Sequence, residues 1–179
     1  AEAHSTCGWL LYGAQAGAEM WQPIGGVGVN GCSVVDGPPE VADSTRAETQ
    51  GLLAVLLSME DMVEQGLRWE WDVECRLDNS AVVERAGGVL RCAKAAREGR
   101  RVLNNELVMA NPEMWCEYEA LKDRLECANR GLKLRVVHQR GHPEKRKSRD
   151  GSDWTVHDRA SYQADNLADD AHRLRAVRR

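Results

Sequence analysis

The sequence predicts an α/β fold, a mixed sheet of about five strands flanked by helices. Three observations predict it. Two apolar runs near the N-terminus, separated by glycines and turn residues, read as antiparallel hairpin strands. Strand-like and helix-like segments then alternate down the chain. An amphipathic stripe of Leu52, Val55, Leu56, Met59, Met62 and Val63 marks the first helix as core-facing.

The elements follow in order. CGWLLYGA (7–14) reads as a strand, and so does the later part of 20–35. The glycines in GGVGVNG precede no helix at dinucleotide-binding spacing, so they are not read as a phosphate loop. DGPPEVADS (36–44) is a loop whose Ser44 can cap a helix at about 45–65, with Gly66 ending it. A strand ending at Asp78 follows within 69–80, then a short helix over 79–86. Residues 87–102 are basic and read as part helix, part loop. NPEMWCEYEALKDRLECANRG (111–131) reads as a helix with Pro112 in its first turn and Gly131 past its end, residues 132–139 form the next strand, and 161–176 form the last helix. Between those two lies a long polar loop.

Composition sets the outer bounds. The 179 residues are 42% hydrophobic and 29% charged, which suits a single soluble domain over 1–179 with its own core. No apolar run reaches the roughly 20 residues of a membrane span, and the N-terminus does not read as a secretion signal. The cysteines at 7, 32, 75, 92, 116 and 127 contain no paired metal-binding spacing, so free thiols in a reducing intracellular compartment are expected. The net charge of −4 argues against a uniformly basic binding surface, yet RGHPEKRKSR (140–149) and the arginine-rich end 173–179 are locally basic.

Glu48 falls on the core-facing stripe of the first helix, where an ionised carboxylate costs several kcal/mol unless it is compensated. Asp78 stands at the C-terminal end of a strand, and Asp165 stands early in the predicted last helix. Sites in α/β sheets gather outside the carboxyl ends of strands, beside helix starts, so the three acids can converge. Converging carboxylates repel one another unless a cation neutralises them, and Mg²⁺ or Mn²⁺ suits hard oxygen ligands. Each acid also has an ordinary explanation taken alone: pairing with Arg46 for Glu48, helix capping around Asp78-Asn79-Ser80, and a first-turn acid at Asp165.

Together these segments resemble the ribonuclease H family, type 1. Arg46-Ala47-Glu48 resembles its first-helix opening, and Leu77-Asp78-Asn79-Ser80 its strand-end aspartate. Val102-Leu103-Asn104-Asn105-Glu106-Leu107 is similar to the asparagine segment ahead of a tryptophan-bearing helix, here with Trp115. Val136-Val137-His138-Gln139-Arg140-Gly141-His142 resembles the strand and glycine-histidine loop, and Ala164-Asp165-Asn166-Leu167-Ala168 the last-helix signature. The insertion between His142 and the last helix, with Trp154 in it, is more like versions attached to retroelement reverse transcriptases.

The resemblance implies hydrolysis of the RNA strand of RNA/DNA hybrids by two Mg²⁺ or Mn²⁺ ions held by Glu48, Asp78 and Asp165, with His142 shuttling a proton or assisting product release. It also implies nucleic-acid contacts from Asn79, Ser80, Asn104, Asn105, Arg140 and Lys145, a hybrid read through its 2′-hydroxyls, and a reverse transcriptase domain in the same polyprotein. Basic segments 91–101 and 140–149 are candidates for backbone contacts, and Trp115 is expected in the core rather than as a stacking platform. One family feature is missing. The first catalytic aspartate belongs on a strand ahead of 7–14, where only AEAHST stands. Asp150-Gly151-Ser152 resembles its turn but falls after the last strand. A start at Ala1 rather than Met suggests an N-terminally truncated chain. The rivals are an inactive domain that binds nucleic acid or packs against a polymerase, a nuclease of the same fold with another substrate, and a protein-interaction domain.

Overall fold

The computed structural model describes residues 6–13, 22–23, 30–35, 43–67, 72–87, 111–129 and 132–177. In chain order the elements are β1 (Thr6–Leu10), β2 (Tyr12–Gly13), β3 (Gln22–Pro23), β4 (Asn30–Val34), α1 (Ser44–Glu64), β5 (Val73–Leu77), α2 (helical residues 80–87), α3 (Pro112–Ala128), β6 (Leu134–His138), α4 (Pro143–Arg146) and α5 (Val156–Val177). The architecture is α/β, with antiparallel and parallel strand pairs flanked by helices.

Strands β1 and β4 pair antiparallel, with Thr6 opposite Val34, and β2 and β3 form a two-residue antiparallel pair. Strands β5 and β6 run parallel, with Leu77 opposite His138. The expected continuous sheet of about five strands is therefore corrected. Among the described residues there are four five-residue strands and one two-residue pair, and no ladder joins β1–β4 to β5–β6. Helix α1 packs against β1 and also enters the core around β5 and β6. Its Leu52, Leu53, Leu56 and Met59 form one core with Cys75 of β5, Leu134 of β6, Val82 and Ala86 of α2, and Met114, Trp115, Tyr118, Leu121 and Leu125 of α3. Trp115 is buried there, edge-on to Tyr118 with ring centroids 5.6 Å apart.

Successive residues of β1 point to opposite faces. Cys7 faces α1, where a Cβ at Gly51 would sit 3.5 Å from the Cys7 Cβ. Gly8 faces α5, and a Cβ there would collide with the Ala164 carbonyl oxygen and lie 2.7 Å from the Ala168 nitrogen. Helices thus cover both faces of β1, and α5 touches it backbone to backbone. Gly8→Ala must push α5 away. It is expected to destabilise by roughly 1–3 kcal/mol in urea denaturation, the usual cost of forcing atoms into a filled core.

Several boundaries differ from expectation for local reasons. The cap of α1 is Asp43 rather than Ser44: its Oδ1 accepts the Arg46 backbone N–H at 2.7 Å. Gly66 follows the helix end with φ 95°. The last helix begins at Val156, five positions before the expected 161, because Thr155 and Asp158 form a reciprocal cap. Thr155 Oγ1 accepts the Asp158 N–H at 3.2 Å, and Asp158 Oδ2 accepts the Thr155 N–H at 2.9 Å. The loop after β6 contains α4, a four-residue turn absent from the sequence reading. Asp150-Gly151-Ser152 is a turn, with the Ser152 N–H on Asp150 Oδ1 at 3.1 Å, as its position after the last strand implied. Most of the basic stretch 87–102 lies outside the described residues. Among the described residues, Cys32, Cys75, Cys116 and Cys127 are free thiols. No described helix is long and apolar enough to cross a membrane.

Candidate functional site

The C-terminal end of β5 delivers Asp78 to the surface one residue past Leu77. Asn79 then closes the chain into α2. Its Oδ1 accepts the N–H groups of Ala81 and Val82 at 3.1 and 3.3 Å, and its Nδ2 reaches Thr45 Oγ1 of α1 at 3.5 Å. Because Asn79 supplies the cap, the Asp78 carboxylate is not consumed by it. It hydrogen bonds with Glu48, in the second turn of α1.

Asp165, in the middle of α5, completes the convergence. Its charge is felt by Glu48, and its own surroundings include Asp78 and Glu144. Burial pushes the Glu48 carboxyl up to about 8, with the neighbouring Asp78 and Asp165 adding to the rise. Asp165 is raised to about 6, first by burial, with His142 pulling down and Asp78 and Glu144 pushing up. Arg46, a possible partner for Glu48, extends Nη1 to Asn111 Oδ1 at 2.5 Å and to Glu113 Oε1 at 3.1 Å, tying α1 to α3.

His142 sits between β6 and α4 in a left-handed conformation, φ 52° and ψ 58°. Its Nδ1 lies 3.7 Å from Asp165 Oδ2 and 3.3 Å from Glu144 Oε1. The structure therefore brings Glu48, Asp78, Asp165 and His142 to one place. Two residues of the neighbourhood had no assigned role in the sequence. Glu144 faces His142 from α4, and His138, opposite Leu77 in the parallel register, places Nε2 3.1 Å from the Asp78 carbonyl oxygen. The Gly-His-Pro-Glu run was the available signal for Glu144.

The predicted nucleic-acid contacts are divided. Ser80 in α2, Arg140 after β6 and Lys145 in α4 are exposed. The Asn79 side chain is occupied by capping. Asn104, Asn105 and the basic segment 91–101 lie outside the described residues.

A divalent cation would meet donors of the right kind here. Asp165 Oδ2 and Glu144 Oε2 are shielded from solvent and have no hydrogen-bond partner among the described residues, and the half-buried Glu48 lies against another carboxylate. An all-oxygen set of this kind suits Mg²⁺ or Mn²⁺. The set does not close by itself: among the described residues, no group of three or more His, Cys, Asp or Glu side chains is arranged to hold a metal ion. Comparison with protein-family models, curated proteins and solved structures finds no match to the chain.

Proposed function

We infer that this chain is a ribonuclease H-like domain of a retroelement, hydrolysing the RNA strand of RNA/DNA hybrids beside a reverse transcriptase domain of the same polyprotein. The observation that carries the reading is the meeting of Glu48, Asp78 and Asp165, from a helix, a strand end and a second helix, at the carboxyl end of a parallel strand pair. Bound there, two Mg²⁺ or Mn²⁺ ions would activate water and stabilise the leaving oxygen of a phosphodiester. Glu48, Asp78 and Asp165 would hold the ions. His142, beside Asp165, stands where it can carry a proton to or from the departing group. Arg140 and Lys145 offer exposed cations for phosphates.

The second reading, an inactive domain that binds nucleic acid or packs against a polymerase, is favoured by one observation: the carboxylates do not close a cation cage among the described residues. The test uses a labelled RNA/DNA hybrid with Mg²⁺ or Mn²⁺. The 179-residue chain is expected to cleave feebly or not at all, and a chain extended by an N-terminal strand bearing an aspartate is expected to cleave. A folded extended chain without activity would favour the inactive reading.

A further inference from the structure

The turn that carries His142 is gripped from behind by a residue that the site's chemistry does not use. Arg146 Nε donates to the Gly141 carbonyl at 3.0 Å, and Nη2 donates to the Arg140 carbonyl at 2.8 Å. Nη2 also faces Asp158 Oδ1 at 3.5 Å. Asp158 is only 3% exposed. Its Oδ2 accepts from Lys147 Nζ at 2.8 Å, the Thr155 N–H at 2.9 Å and the Thr155 hydroxyl at 2.6 Å. Burial alone would raise the Asp158 carboxyl, but hydrogen bonds from Lys147 and Thr155 outweigh it and hold it well below the usual carboxylate range. The anchor is thus a buried, multiply bonded anion at the start of α5.

The front of the same turn is pressed against the carboxylates. A Cβ at Gly141 would collide with Asp78 Oδ2 and lie 3.0 Å from the Asp78 Cβ. His142 follows in the left-handed region, which is strained for a non-glycine residue and persists only where the surroundings enforce it. Two carbonyl bonds from one planar guanidinium supply that enforcement. An ammonium group lacks the fork to do so.

We propose that Arg146, anchored by Asp158, is a positioning residue: it clamps the Arg140 and Gly141 carbonyls, seats the turn on Asp78 and thereby holds His142 beside Asp165. The clamp rests on the reading of this cluster as a hydrolytic site only for its consequence in catalysis; the seating itself is a property of the chain.

The test is nuclear magnetic resonance on the 179-residue chain and its variants. In the parent, a nuclear Overhauser contact joins Gly141 Hα to Asp78 Hβ. The Lys145 and Lys147 amides are protected by their bonds to the His142 and Pro143 carbonyls. Arg146→Gln is expected to abolish the contact and to speed exchange of those two amides roughly tenfold or more, the scale of losing charge-assisted hydrogen bonds. Amides in α1, β6 and the middle of α5 are expected to keep their rates. Arg146→Lys should restore less than half of the contact, and Lys147→Met should leave it intact. An unchanged contact in Arg146→Gln overturns the clamp. So does a uniform acceleration across all elements, which would make Arg146 merely structural. Hybrid cleavage by the strand-extended chain gives the separate readout: Arg146→Gln should lower kcat about tenfold with little change in KM. If the extended parent does not cleave, the nuclease reading fails, and the Overhauser contact still decides the clamp.

Discussion

In the strand-extended chain, Asp78→Asn is expected to reduce hybrid cleavage by on the order of a hundredfold or more. The substitution keeps the shape of the side chain and removes its charge. A divalent ion supplies several kcal/mol of charge stabilisation to phosphoryl chemistry, and each 1.4 kcal/mol is about tenfold in rate. Asp78 is the carboxylate common to both neighbours, hydrogen-bonded with Glu48 and felt electrostatically by Asp165. If the cluster works with divalent ions as proposed, losing Asp78 should disturb every ion it would hold, and Mn²⁺ should not rescue the rate. The measurement is single-turnover cleavage of labelled hybrid, with circular dichroism to establish that the variant is folded. Cleavage within about threefold of the parent would remove Asp78 from the chemistry.

The second large effect is on stability. With divalent ions chelated, the chain is expected to lose stability as pH rises from about 5 to 8. Glu48 is raised to about 8 and Asp165 to about 6 in the folded chain, against ordinary values of 4.5 and 3.8. Both acids bind protons more tightly folded than unfolded. Their favourable contribution is complete below the ordinary values and is lost as pH climbs, through about 6 for Asp165 and about 8 for Glu48. The fall from Glu48 is on the order of a few kcal/mol, since a tenfold change in proton affinity corresponds to about 1.4 kcal/mol. Asp158 acts with the opposite sign: its carboxyl is held low, so its contribution is present at neutral pH and lost only on strong acidification. Mg²⁺ or Mn²⁺ at pH 8 should restore much of the loss by binding the folded carboxylates. Glu48→Gln should flatten the slope, because the amide can donate to Asp78 as the protonated acid does. Thermal unfolding against pH, with and without metal, checks each point. A slope unchanged by Glu48→Gln would mean that another group titrates.

Much of the frame was legible before any coordinates. The stripe from Leu52 to Val63 placed α1 and its core face, and Pro112 placed the start of α3 within a residue. The element order already set strand 132–139 beside 71–78, whereas the register of that parallel pair, with Leu77 opposite His138, is not written in the pattern. The start of α5 was readable in principle, because Thr155-x-x-Asp158 is a capping pattern. It was passed over because the stretch around it is polar and looks like loop. The division into two ladders could not be read from patterning at all. Nor could the close approaches at Gly8 and Gly141, which depend on where α5 and Asp78 lie in space. The same holds for Glu144, Arg146 and Asp158: their relation appears only once the loop after β6 folds back onto the first turn of α5. The acids Glu48, Asp78 and Asp165 stood out for a different reason. Glu48 lies on a core-facing stripe, Asp78 at a strand end, and Asp165 near the start of the helix expected over 161–176, positions where a charge needs an explanation.

The proposed nuclease function requires that these three carboxylates take up a divalent cation. The most direct measurement is a Mn²⁺ titration of the 179-residue chain followed by paramagnetic broadening of assigned resonances at pH 7. The account predicts that sub-stoichiometric Mn²⁺ first broadens Glu48, the Leu77–Asn79 segment, His142 and Asp165, and that Asp78→Asn removes this broadening. Broadening that begins instead at the exposed acids Asp169 and Asp170, or that survives Asp78→Asn unchanged, would contradict it.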